Sequence, residues 1–256
     1  MPRPDACLFF GTCLLDLARP EAGLAAMQLL RRAGVKVHYP QAQTCCGQSA
    51  YNSGWRREAR RVARAQLDAL TGPGRDGLPI VVPSASCAGM MTTHYPSLFE
   101  GTPDQGRAED VAARVVELCD FLHRVLALEL TDQGPAVRVA IHHSCSARRA
   151  LGPGPVVGAQ ALLGQLDAVT VVEPDHAHEC CGFGGTFAVK QPTLSAAIAS
   201  DKAAAVAATG AELLLSQDMG CLLNIDGTAR RADYRFACQH IAEFIWGRSV
   251  LICRPR

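Results

Sequence analysis

Apolar and polar positions along this chain follow two rhythms, a short strand-like one and a longer helical one, and the two alternate. ACLFFGT (6–12) is a compact apolar run that reads as a buried strand ending at Cys13. PEAGLAAMQLLRRAG (20–34) carries a helical period, with Pro20 at its start and Gly34 as its stop. VKVHYP (35–40) alternates like a strand, GWRREARRVARAQLDALTG (54–72) is an amphipathic helix with arginines on its polar face, and LPIVVPSAS (78–86) is again a strand. The arginine run reads as a solvated face. The second half repeats the order: strand AVRVAIHHS (136–144), helix PVVGAQALLGQL (155–166), strand VTVVEP (169–174), helix PTLSAAIASDKAAAVAATG (192–210) and strand AELLLSQ (211–217). Strands alternating with helices predict an α/β fold with largely parallel sheets. The repeated order predicts two similar lobes from an internal duplication, residues 1–132 and 133–256, each a sheet with flanking helices.

Composition narrows the function classes. The 256 residues are 48% hydrophobic, enough for a sizeable core, and the net charge of +1 offers no footprint for nucleic acid or anionic lipid. No apolar run reaches the roughly 18 residues of a membrane span, and MPRPDACLFFGTC lacks the basic-then-apolar pattern of a signal peptide. A cytoplasmic chain is the expectation. Its 12 cysteines are then kept reduced, which favours metal ligation or redox chemistry over a disulfide framework.

Cysteine spacing carries the chemistry. In the first half a single cysteine, Cys13, is followed by the doublet Cys45 and Cys46 and then by Cys87. In the second half Cys145 is followed by the doublet Cys180 and Cys181 and then by Cys221. The pattern is written twice, offset by 132 to 135 positions, and each doublet is followed by a glycine, Gly47 or Gly182. Each of these cysteines follows the carboxyl end of a predicted strand, the edge at which open parallel sheets bind ligands. Three loops thus bring four sulfurs together in each lobe. Adjacent side chains on a regular strand point to opposite faces, so each doublet must leave strand geometry, and the glycine permits the bend. Cys7 in a strand, Cys119 and Cys238 in helices and Cys253 in the tail break the pattern and read as small core residues.

Other residues near the doublets admit two readings. A histidine beside such a site is a proton carrier, a replacement ligand or a loop cap. His142 and His176 read as structural, while His143 and His178 stay open between the two roles. Asp175 and Glu179 read as solvated loop acids, and Lys190 as a surface lysine or a complement to an anionic partner. Gly184 and Gly185 lack the strand–GxGxxG–helix setting of a dinucleotide site, so no nicotinamide or flavin site is expected.

The stretches CLLDLARPEAGLAAMQLLRRAG, CCGQSAYNSG, VVPSASC, HHSC, CCGFGGTFAVKQP, TGAELLLSQDMGCLLNI and HIAEF together resemble the lactate utilization protein A family. That family has a duplicated cysteine-rich CCG domain related to the one in heterodisulfide reductase. The resemblance implies an iron–sulfur electron-transfer subunit that works with partner proteins, one of them a ferredoxin-type iron–sulfur protein, in oxidising L-lactate to pyruvate. Glycolate oxidase iron–sulfur subunits are more distant relatives and carry ferredoxin motifs that this chain lacks. The full CCG motif ends each repeat in C-x-x-C; here Ser84 and Asp218 stand at the first position of that pair. Four thiolates per lobe suit a [4Fe–4S] cluster, one or two per chain, rather than the five-sulfur cluster of heterodisulfide reductase. Four thiolates also suit zinc, which leaves a zinc scaffold as an alternative, and the kinship leaves a heterodisulfide-reductase-like thiol–disulfide subunit as another. Gly47, Ser84, His143, His178, Gly182 and Asp218 are the expected surroundings of the ligands. The two doublet loops are the expected partner interface, with Tyr51, Phe183 and Phe187 as anchors. Filling of the cleft between the lobes is the alternative for Phe183 and Phe187.

Overall fold

The computed structural model describes residues 2–251; Cys253 lies outside them. The first sheet is built from β1 (Ala6–Phe9), β2 (Lys36–His38), β3 (Ile80–Val82) and β4 (Val115–Glu117), in the order β2-β1-β3-β4 and parallel throughout. The strand β5 (Leu130–Asp132) follows. The second sheet repeats the topology with β6 (Val137–His142), β7 (Val169–Val172), β8 (Leu213–Ser216) and β9 (Ala237–His240), in the order β7-β6-β8-β9. A last strand, β10 (Ser249–Leu251), pairs antiparallel with β5 and so ties the end of one repeat to the end of the other. The proposed division after residue 132 falls in the link between β5 and β6.

The central strands β1, β3, β6 and β8 are apolar on both faces because both faces are covered. Cys7, Phe9, Val81 and Val116 of the first sheet share one core with Val139, Ile141 and Leu215 of the second. The alternate residues Leu8, Phe10, Ile80, Val82 and Val115 face a core private to the first lobe, and Ala140, Leu214 and Cys238 face a core that belongs mainly to the second. Helices cross the boundary as well. Pro20–Arg32 packs against Ile241–Arg248, with the Arg32 guanidinium 3.7 Å from the Trp246 ring centre. Gly154–Leu163 packs against Leu118–Asp120, so closely that a β-carbon on Gly158 would lie 2.5 Å from the Cys119 carbonyl oxygen.

The duplication runs deeper than the cysteines. Val82 pairs with Glu117 and Ser216 with His240, so Glu117 and His240 hold equivalent register positions. Each caps the helix that follows: the Glu117 carboxylate accepts from the Cys119 and Asp120 N–H groups, and His240 Nδ1 accepts from the Ala242 N–H. ELCDFL (117–122) and HIAEFI (240–245) are the same segment written twice.

One structural cysteine is misplaced by the sequence reading. Cys238 lies in β9, not in a helix, because Phe236, Cys238 and His240 are buried while Arg235 and Ala237 face outward, a period of two. Cys7 and Cys119 are buried in a strand and a helix as expected. No helix among the described residues is long and apolar enough to cross a membrane.

Candidate functional site

Both quartets assemble at the carboxyl edges of their sheets. Cys13 and Cys145 begin short helices just after β1 and β6, and Cys87 and Cys221 lie in the first turns of the helices after β3 and β8. The doublets close the loops after β2 and β7. In the first lobe hydrogen bonds link Cys13 to Cys45, Cys45 to Cys46, and Cys46 to Cys87, the last pair of sulfurs 3.3 Å apart. In the second, Cys145, Cys180, Cys181 and Cys221 form the same chain, with Cys181 and Cys221 sulfurs 2.9 Å apart. None of the described cysteines is in a disulfide.

The glycines act as the sequence predicts. Gly47 and Gly182 take φ of 88° and 80°, which turns both sulfurs of each doublet inward. The same turn aims an N–H back at the doublet: Gly47 donates to Cys45 Sγ at 3.4 Å and Gly182 to Cys180 Sγ at 3.3 Å. The first cysteine of each doublet is thereby the acidic one. Hydrogen bonds from Cys13 and Cys46, then the Gly47 N–H, hold Cys45 far below the ordinary thiol range; Cys145, Cys181 and Gly182 do the same for Cys180. Their donors Cys13 and Cys145 are pushed up by those same bonds and by burial.

A buried polar side chain from the following helix fixes each doublet loop. Gln66 accepts from the Thr44 N–H at 2.9 Å and donates to its hydroxyl at 2.5 Å, while Lys202 donates to the His176 carbonyl at 2.6 Å. Ser84 and Asp218, at the positions where the full motif has cysteine, bond to each other across the lobes. The Ser84 hydroxyl donates to Asp218 at 2.7 Å and the Ser86 N–H to the same oxygen at 2.9 Å. The pair is an interlobe clasp between the two sites.

The two quartets open into one cavity of about 330 Å³, lined by every cysteine of both sets together with Ser84, Ser144, Phe183 and Asp218. The doublet loops meet over it: Ser53 and Thr186 hydroxyls are 2.6 Å apart, and Lys190 Nζ lies 4.6 Å from the centre of the Trp55 ring. Phe183 lines the cavity, its ring lying against Gly220, where a β-carbon would come within 2.5 Å of it. Phe187 packs over Gly184, and Tyr51 stacks on His94 with ring centres 4.5 Å apart. All three rings are half-buried; Trp55 and Val189 are the exposed large apolar residues of these loops, at 54% and 81%.

His178 is exposed at the loop surface, and its carbonyl, not its ring, is engaged by Arg148. His143 is half-buried beside Cys145, and His176 takes the left-handed conformation of a loop turn, φ 52°. Lys190 and Glu179 are exposed, the latter 3.5 Å from the His176 ring. His142, which reads as structural in the sequence, ends β6 and is 2% exposed, with a ring nitrogen and the Cys181 and Cys221 sulfurs all within 4.8 Å of one another. Burial, and then the Lys202 charge, hold its imidazole down to about 4. The signal for it was in the repeat: the offset of 132 that relates Cys13 to Cys145 puts His142 where the first lobe has Phe10.

The donor sets fit a metal group. Each gathers four soft sulfurs from three loops, half of them buried, with backbone N–H groups already directed at sulfur. A family model described as a cysteine-rich domain, CCG, matches the chain twice, over residues 7–92 and 139–226. The chain is 41% identical over 246 residues to lactate utilization protein A of an Exiguobacterium species, covering 94% of this chain and 97% of the relative. It is 39% identical over 243 residues to lactate utilization protein A of Geobacillus kaustophilus, covering 94% and 98%. Among solved structures, a hypothetical protein from Helicobacter pylori matches 96% of this chain with a TM-score of 0.61 at 12% identity. This chain spans 50% of that protein, and the likeness is one of fold. Fold and site together define a protein of two cysteine-rich CCG domains, related by duplication. The chain belongs to the lactate utilization protein A family.

Proposed function

We propose that this chain is an iron–sulfur electron-transfer subunit of a multi-protein system that oxidises L-lactate to pyruvate. The relatives' names are consistent with a role in lactate utilization. The observation that carries the finer reading is the pair of matched four-thiol sets facing one cavity from the edges of two sheets. Cys13, Cys45, Cys46 and Cys87 would hold one [4Fe–4S] cluster, and Cys145, Cys180, Cys181 and Cys221 a second. When bound, such a group stores and releases single electrons.

The chain's own residues do the rest. Gly47 and Gly182 direct N–H groups at the sulfurs and favour their thiolate form. Phe183 narrows the cavity, and Cys145 and Cys180 bring the second quartet to the surface. Next to them the exposed Trp55 and Val189, flanked by Lys190, form the docking edge for a ferredoxin-type iron–sulfur partner. Tyr51 supports that edge from beneath through its contact with Arg56, 5.7 Å from the ring centre.

The test is a reconstituted complex with its partner subunits. Cys45→Ser together with Cys180→Ser abolishes electron delivery from lactate while the complex still assembles. Full activity of that double variant, or oxidation of lactate to pyruvate by this chain alone, contradicts the proposal.

A further inference from the structure

The two quartets sit in unlike surroundings. Phe10 is fully buried in the same apolar cluster as Cys46 and Cys87 of the first lobe. At the equivalent position of the second lobe the chain has His142, also buried, beside Cys181 and Cys221. An imidazole always carries hydrogen-bonding capacity, and buried polar groups are satisfied as a rule. Yet neither Nδ1 nor Nε2 of His142 has a hydrogen-bond partner among the described residues.

A ligand role accounts for this. Two ligands of one ion stand no further apart than the sum of their bond lengths, about 4.4 Å for a metal–nitrogen and a metal–sulfur bond. His142, Cys181 and Cys221 already hold their donor atoms within 4.8 Å of one another, so a small side-chain adjustment brings them onto one ion. A ring that is buried, unpartnered and beside two thiols at that spacing is placed as a ligand. His142 and Cys221 are held on regular elements, β6 and the helix Met219–Arg231, and Cys181 in the doublet turn.

We propose that His142 is a nitrogen ligand of the second centre, which then binds its metal through a mixed sulfur and nitrogen set while the first uses sulfur alone. This rests on reading the quartets as metal sites.

Cadmium is the probe, because its nuclear resonance reports the ligand type directly. The full chain, stripped of metal under anaerobic reducing conditions and loaded with cadmium-113, is expected to give two resonances, the second displaced in the direction of nitrogen ligation. With nitrogen-15 histidine, that resonance alone shows a one-bond coupling. In His142→Phe, which copies the first lobe's Phe10, the coupling disappears and the displaced resonance moves toward the first. The wild-type coupling needs no variant, so the test stands even where His142→Phe fails to fold. Two resonances without nitrogen coupling overturn the role of His142 and leave the metal reading intact. Failure of the wild-type chain to bind cadmium through sulfur overturns both.

Discussion

A β-carbon built on Gly182 would stand 2.6 Å from the Ser195 carbonyl oxygen, and one on Gly47 3.2 Å from that of Ala59. Both glycines also take a φ that L-residues avoid, at a cost of about 1–2 kcal/mol for any residue with a β-carbon. Backbone cannot give way as a flexible side-chain end can, so the two substitutions separate. Gly47→Ala is expected to destabilise the protein by about 1–2 kcal/mol and Gly182→Ala by about 3 kcal/mol or more, read from urea unfolding. Equal losses would count against the close packing of the second doublet on the helix Pro192–Ala208. These glycines were legible because a doublet after a strand needs a bend and glycine supplies it. His142 was not, because the residues that give it meaning, Cys181 and Cys221, are far along the chain. Only the comparison of one repeat with the other exposes it.

The helix caps make a prediction for elements. Glu117 is buried, and desolvation pushes its carboxyl up to about 8, with the two capping N–H groups opposing. In the unfolded chain it titrates near 4.5. Between those values the folded state holds a proton that the unfolded state has released, so the contribution of Glu117 falls as pH rises toward 8, against the rise that the acidic Cys45 and Cys180 give over the same range. The buried histidines His142 and His240 are shifted downward, and their opposite contribution levels off as pH rises past about 6.5. From pH 6.5 to 8 the loss due to Glu117 is about 2 kcal/mol at most, since each pH unit carries about 1.36 kcal/mol. Glu117→Gln keeps an oxygen for the cap and is expected to remove that loss, so that in thermal unfolding its stability relative to the parent rises by up to about 2 kcal/mol between pH 6.5 and 8. A difference from the parent that stays constant with pH would remove Glu117 as the cause. The strands and long helices were legible because their apolar periods are clean. The stretch from Met90 to Glu117 and the strand holding Cys238 were not: Met90–His94 is a five-residue wide helical turn, Val115–Glu117 is three residues, and the period of two around Ala237–His240 covers too few residues to stand out.

At the scale of the whole molecule the duplication explains both stability and site. Each lobe covers one face of its sheet largely by itself and shares the core on the other, while the first long helix of each repeat packs on a late helix of the other. Glycine at 158 and the Ser84–Asp218 clasp belong to this joint. The sequence repeat predicted two lobes with sulfurs at their sheet edges, and the strand-end rule predicted where those sulfurs gather. That they face each other across one cavity was not legible, because periodicity says nothing of how two lobes pack. The central claim is that each of these quartets holds an iron–sulfur cluster. The most direct measurement is the anaerobically purified and reconstituted full chain, with iron, sulfide and zinc counted per polypeptide. The account predicts a brown protein whose absorbance bleaches on reduction, with about eight iron and eight sulfide per chain for two [4Fe–4S] clusters. A colourless protein holding stoichiometric zinc and no sulfide would contradict it.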